Sequence, residues 1–123
     1  MSSETEIAIQ RSNTRRFIDA DPYDVTLSRA ELLANGAGGK KKQPPSTLSP
    51  QRVRLTPQAV QGRIEEKALL DGEMVQVDFH MVGDIGLNVQ RGDWFFKDGL
   101  KHEVVWTVTV GSYEVKAGVT NRG

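Results

Sequence analysis

The run Glu73 to Val82 (EMVQVDFHMV) alternates without interruption, with Val75, Val77, Phe79 and Met81 on one side and Met74, Gln76, Asp78, His80 and Val82 on the other. Successive residues of a strand point to opposite faces, so this spacing predicts a strand whose apolar face meets a core. His102 to Val110 (HEVVWTVTV) and Tyr113 to Val119 (YEVKAGV) are of the same kind, rich in valine, threonine and aromatic residues. Trp94-Phe95-Phe96 precedes them, and Asp98-Gly99 and Gly111-Ser112 supply turns between. The pattern predicts a mainly β fold, an antiparallel meander closing into a small barrel or sandwich.

The first half of the chain adds two shorter alternations. Tyr23, Val25 and Leu27 oppose Asp24, Thr26 and Ser28 after the turn signal Asp21-Pro22, and Val53 and Leu55 oppose Arg52 and Arg54 within Gln51 to Thr56. Pro57 ends the second. Arg29 to Leu33 (RAELL) favours helix for about one turn before Asn35-Gly36 stops it. Ala59 to Leu70 fits either a helix lined by Val60, Ile64 and Ala68 or a bend followed by a strand, and the second, Arg63 to Ala68 turning at Asp71-Gly72, is the expectation. Further turns are expected at Gly83-Asp84 and Gly92-Asp93. Residues 1–20 are polar, with a short Ile7-Ala8-Ile9 patch and no sustained period, and read as an extended arm. Residues 21–123 then form a single β domain.

Between two of these strands, Asn35 to Pro50 reads NGAGGKKKQPPSTLSP, a long loop with Leu48 as its only large apolar residue. Loops of this length inside a small domain are commonly functional or disordered. The chain has 16 Lys and Arg against 16 Asp and Glu, but no acid lies between Leu32 and Ile64, where Lys40, Lys41, Lys42, Arg52, Arg54 and Arg63 give +6 and leave −6 for the remainder. A basic segment on an acidic body suits a polyanion or the acidic face of another subunit.

Several chemistries find no support. With no cysteine in the chain, disulfides, thiolate metal sites and thiol nucleophiles are excluded. The two histidines, His80 and His102, stand in no nucleophile context, so no catalysis is expected. Gly36 to Lys42 resembles a phosphate loop only superficially, because Ala34 and Lys41 stand where that motif needs Gly and Ser or Thr. Asp19, Asp21 and Asp24 fail the calcium-loop pattern at Tyr23, Asp24 and Ala30. No cofactor or metal is expected. No apolar run approaches the roughly 20 residues that span a bilayer, and the amino terminus lacks a signal-peptide stretch, so an intracellular origin and no membrane contact are expected.

Four segments in order carry a resemblance: Val77 to Gly83 (VDFHMVG), Val89 to Phe95 (VQRGDWF), Asp98 to Trp106 (DGLKHEVVW) and Tyr113 to Val119 (YEVKAGV). Together they resemble the head-closure proteins, or head-to-tail stoppers, of tailed phages, whose pattern has an R-G-D-x-F/W turn, a D-G hairpin, an E-V-V strand and a Y-E-x-K-A strand. The likeness covers roughly the second half of the chain and extends loosely to Val25 to Arg29 (VTLSR) and Arg54 to Pro57 (RLTP). It implies a nonenzymatic virion component, a small β-barrel subunit assembled in the host cytoplasm into a sixfold or twelvefold ring in the phage neck. That ring would bind the portal or adaptor on the head side and the tail terminator or tail tube on the other. It also implies a loop that projects into the channel and retains packaged double-stranded DNA, for which Lys40, Lys41, Lys42 and Gln43 are the candidates here. Arg52 and Arg54 would then lie at the loop base or a subunit contact, and Arg11, Arg15 and Arg16 at arm contacts. The alternatives are another neck or tail-completion protein such as a tail terminator, or a nonspecific nucleic-acid-binding β-barrel.

Overall fold

The computed structural model describes residues 4–34, 40–57, 59–60, 63–64, 67–70 and 72–122. Among them the chain forms one helix, α1 (Glu4–Ala20), and the strands β1 (Tyr23–Val25), β2 (Ser28–Ala34), β3 (Lys40–Thr47), β4 (Gln51–Pro57), β5 (Ala59–Val60), β6 (Arg63–Ile64), β7 (Lys67–Leu70), β8 (Glu73–Gln76), β9 (Phe79–Asp84), β10 (Trp94–Lys97), β11 (Leu100–Val110) and β12 (Glu114–Asn121). Eight of the strands make one antiparallel sheet in the order β1-β4-β9-β12-β11-β10-β2-β3. The fold is mainly β, and this sheet is an open, curled half-barrel.

The curl follows from one stretch of chain. Only Thr26 and Leu27 separate β1 from β2, yet the two strands stand first and seventh in the sheet order. The sheet must therefore curl so that β2 comes near β1, and Leu27, fully buried at the crossing, has its carbonyl bonded by the Leu48 N–H at 2.8 Å. The alternation at Tyr23, Val25 and Leu27 is thus real, but it serves two strands. Closure on the β10 side is slight, with Ser28 opposite Trp94 as the single registered pair.

The concave side holds the core: Val25, Leu27, Val53, Met81, Phe95, Val104, Ala117 and Val119 are all essentially buried, with Tyr23, Leu55, Phe79, Leu87 and Val89 packed around them. Burying each large apolar side chain contributes about 1.5–3 kcal/mol, so the inward-facing alternate residues supply the main driving force. A second, smaller cluster forms on the convex side from Val77 and Val105, with Val75 and Trp106 against them. It arises from an irregularity in the β11–β12 ladder between Val104 and Trp106, which places Trp106 opposite Gly118 and next to His80 in the same row. Any Cβ at Gly118 would overlap the Trp106 indole, so the ring lies directly on the glycine backbone.

The expected turns are largely present. Asp98 and Gly99 both have positive φ (55° and 77°) and connect Lys97 to Leu100, the geometry of a two-residue hairpin turn. Leu70 pairs with Glu73 across the Asp71-Gly72 connection, and Gly72 has φ 82°. The strand before it begins at Lys67, with a short β5–β6 pair preceding, so no helix forms in these described residues.

Five expectations are corrected. Residues 4–20, read as an extended arm, are the helix α1. No proline or glycine interrupts them, Glu4 and Glu6 complement the helix dipole in the first turn, and Asp21-Pro22 stops propagation. The inward stripe Ile7, Arg11, Thr14, Ile18 has helical spacing, but two of its members are polar, which hides it from an apolar count. Second, Arg29 to Leu33 is strand, not helix, because pairing with β3 outweighs local propensity.

Third, the loop read over 35–50 contains β3, while residues 35–39 lie outside the described residues. Its prolines are accommodated by register: Arg29 faces Ser46 and Glu31 faces Gln43, so Pro44 and Pro45 both lie opposite Ala30 in a bulge. A bulge leaves ladder positions open, which suits residues without an N–H. Fourth, the run 73–82 is two strands broken at Val77-Asp78, where the Asp78 N–H donates to the Val119 carbonyl (2.8 Å) and its carboxylate accepts from the Asn121 N–H (2.6 Å). Fifth, Gly83 and Asp84 belong to β9, and the turn falls at Ile85-Gly86.

Candidate interface surfaces

At the seam of the half-barrel, Arg29 of β2 reaches Asp93, just before β10. Its Nε donates to Oδ1 and its Nη2 to Oδ2, both at 2.9 Å, and Nη2 also donates to the Asn88 side-chain oxygen at 3.0 Å. Asp93 is 1% exposed. A buried carboxylate is costly unless its lone pairs are filled, and here the bidentate guanidinium and the Gln90 N–H (2.8 Å) fill them. The Asp93 backbone is also fixed, its carbonyl accepting from the Val104 N–H and its N–H donating to the Gln90 carbonyl. Arg91-Gly92-Asp93 is therefore a turn whose last residue anchors β2, and Gly92, at φ 94°, gives it a backbone conformation other residues rarely adopt.

This clamp sits at the root of the β2–β3 hairpin. One position beyond Arg29 comes the Pro44-Pro45 bulge, and from Glu31↔Gln43 to Ala34↔Lys40 the two strands pair with each other. Among the described residues neither strand has another registered neighbour there, β3 being the sheet edge. The described part of the hairpin thus leaves the barrel as a two-stranded ribbon of roughly 10 Å, four pairs at about 3.3 Å per residue. Lys40, Lys41, Lys42 and Gln43 stand on its returning strand.

Arg52 and Arg54 project from one face of β4, as the alternation implies, and that face lies under α1. Arg52 pairs with Asp19 at 3.0 Å, while Arg54 donates through Nη1 to the Phe17 carbonyl at 3.0 Å and places its guanidinium 4.1 Å from the Phe17 ring centre. Arg15 of the helix pairs with Asp84 at 3.1 Å, Thr14 donates to Glu114 at 3.2 Å, and Arg11 donates to the Ser112 carbonyl at 2.9 Å. Arg16 is exposed on the outer side. The structure therefore brings Arg11, Arg15, Arg52 and Arg54 into one helix-docking layer, whereas Lys40–Gln43 stand on β3 at the opposite end of the sheet order from β4. The sequence reading missed its counterparts Phe17, Asp84 and Glu114; the helical spacing of the stripe above could have revealed the helix, but nothing local marks Asp84 and Glu114 on their strands.

The histidines do not meet. His102 is buried between Phe95, stacked at 5.2 Å, and Phe79, edge-on at 5.6 Å, whereas His80 touches Trp106 on the convex side at 5.3 Å. One cavity of about 300 Å³ lies between the first half of α1 and the β11–β12 turn, lined by Glu6, Ile7, Gln10, Gly111, Ser112 and Tyr113. Another of about 290 Å³ opens beside Tyr23, Leu55, Phe79 and Lys97. There a hydrogen bond from Lys97 to Asp98 raises the lysine pKa above its ordinary value, against the lowering effect of burial. Neither cavity is lined by a histidine. Among the described residues no three His, Asp or Glu side chains gather to hold a metal, and no helix is long and apolar enough to cross a membrane.

Comparison with known proteins finds no family model that matches the chain and no curated protein similar to it.

Proposed function

We propose that the chain is a nonenzymatic structural subunit of the head-to-tail stopper kind, a ring-forming component of a phage neck that helps retain packaged DNA. The observation that carries this reading is the β2–β3 hairpin, a basic ribbon that leaves a small curled barrel with no further strand among the described residues to pair with. An isolated two-stranded ribbon is marginal in water, so such an element makes physical sense where copies are gathered and it contacts a neighbour or a polyanion. The resemblance of the second half to head-closure proteins supports the same reading, and so does the joining of two of its segments, VTLSR and RGD, by the Arg29–Asp93 clamp. Its partners are further copies of itself, the adaptor or portal on one side, the tail on the other, and double-stranded DNA through nonspecific contacts along the lysine run.

The test is DNA retention by tail-less heads of the parent virus, completed with the wild-type chain or with one in which Lys40 to Pro45 is replaced by a short glycine-serine turn. Retention by the wild type and leakage with the shortened hairpin is the expected result. Equal retention by both, or by neither, contradicts the reading.

A further inference from the structure

We propose that α1 is an exchangeable element that, in the assembled state, docks on the β4-β9-β12 face of a second copy of this chain. The inference rests on the ring-forming reading above. Three features carry it. First, the main core cluster forms without the helix: none of its eight enclosed residues belongs to α1, whose one buried apolar side chain is Ile18. Only Thr14 and Ile18 of the 17 helical residues are buried, so removing α1 uncovers little of the apolar interior.

Second, the contacts that hold it are polar and mostly at the surface. Arg15–Asp84 has side chains 66% and 40% exposed, and Arg52–Asp19 56% and 60%. Pairs of this kind favour one geometry over another but add little net stability. The first half of the helix buries less: among the described residues none before Thr14 is buried, Ile9 is 54% exposed, and a cavity lies between this half and Gly111–Tyr113, bridged by the hydrogen bond from Arg11 to the Ser112 carbonyl.

Third, the joint is short, and beyond the side-chain contacts of Arg52 and Arg54 to Asp19 and Phe17 it has little backbone bonding. Asp21 and Pro22 alone connect α1 to β1, and the Asp21 N–H bond to the Ile18 carbonyl (3.1 Å) is the backbone bond at that joint. Pro22 has no N–H to lose, and the residue before a proline favours extended backbone, so the joint opens readily into a straight connection. A helix of this length is marginal alone in water and needs a surface, and the only surface whose complementarity to it is known atom by atom is the one each identical copy carries. Exchange of an identical element replaces every contact with an equivalent one and links neighbours at low cost.

The test exploits the absence of cysteine from the chain. Chains carrying Arg15→Cys are mixed with chains carrying Asp84→Cys, assembled, and treated with a short bismaleimide. Exchange predicts a two-chain product on a denaturing gel from the assembled fraction only. A doubly substituted chain at low concentration should give single-chain product instead. Assembly without two-chain product overturns the exchange and leaves the stopper reading standing, whereas a chain that never assembles contradicts both. Hydrogen exchange on the wild type is the second readout: amides of α1 should exchange at least tenfold faster than those of β9, β11 and β12, and equal protection overturns the proposal.

Discussion

Arg29 and Asp93, 64 residues apart in the chain, form a bidentate pair that fastens β2 to the turn before β10, where the sheet has a single registered pair. Removing the acid leaves the guanidinium only partly paired at a largely enclosed site, and removing the arginine strands a carboxylate that is 1% exposed. Asp93→Ala and Arg29→Met should each destabilise the fold by about 3 kcal/mol, the usual scale for breaking a buried pair from one side. Arg29→Lys should lose less, since it keeps charge but not the fork. Urea unfolding of the three variants checks the order, and an Arg29→Met variant as stable as the wild type would remove the clamp from the account.

Gly118 supports the Trp106 indole, and the smallest added side chain forces that ring away. Gly118→Ala should cost about 1–3 kcal/mol, the range for overpacking a fitted site. Its signature is a change in tryptophan fluorescence already present in the folded state, before any denaturant. Wild-type stability and emission together would show that the ring is not seated there.

Arg54 joins the sheet to α1 through both a hydrogen bond and a ring contact at Phe17. Arg54→Ala should loosen the helix by about 1–2 kcal/mol, combining an exposed cation–π contact with one charge-assisted hydrogen bond. Hydrogen exchange should accelerate roughly tenfold across residues 10–20 for each 1.4 kcal/mol of that loosening, while β-strand amides hold their rates. Acceleration of helix and strands alike would mean that α1 is integral to the barrel.

Lys40, Lys41 and Lys42 lie on a ribbon with no strand beyond it among the described residues, so exchanging all three for serine should change unfolding free energy by no more than about 0.5 kcal/mol. The same change should weaken DNA binding by assembled material and flatten its salt dependence, by about 0.9 in the logarithmic slope for each phosphate no longer neutralised. A monomer that binds DNA as tightly as the assembly would favour a simple nucleic-acid-binding barrel.

The barrel was legible because one face of its strands is apolar: Val53, Phe79, Met81, Val115, Ala117 and Val119 keep period two and turn inward, whereas Val75 and Val77 of the same alternation, with Val105, fall in the convex cluster. Turns were legible where backbone chemistry dictates them, as at Asp98-Gly99. What escaped depends on partners distant in sequence. Asp93 reads as an ordinary turn acid until Arg29 is seen beside it, and Pro44-Pro45 argues for a loop unless the opposite strand shows a bulge. Helix α1 was hidden because its inward stripe uses Arg11 and Thr14, which find Ser112 and Glu114 about 100 residues away. Likewise, Arg52 and Arg54 were legible as a pair on one face, but not as the floor beneath a helix.

The central claim is that this chain acts as one copy among many at a neck. Light scattering with negative-stain imaging of the purified chain, alone and with neck complexes from the parent virus, tests it most directly. The account predicts a closed ring, or specific incorporation at the neck, with a mass that is a whole multiple of 13.6 kDa. A strict monomer that does not associate with necks would contradict it.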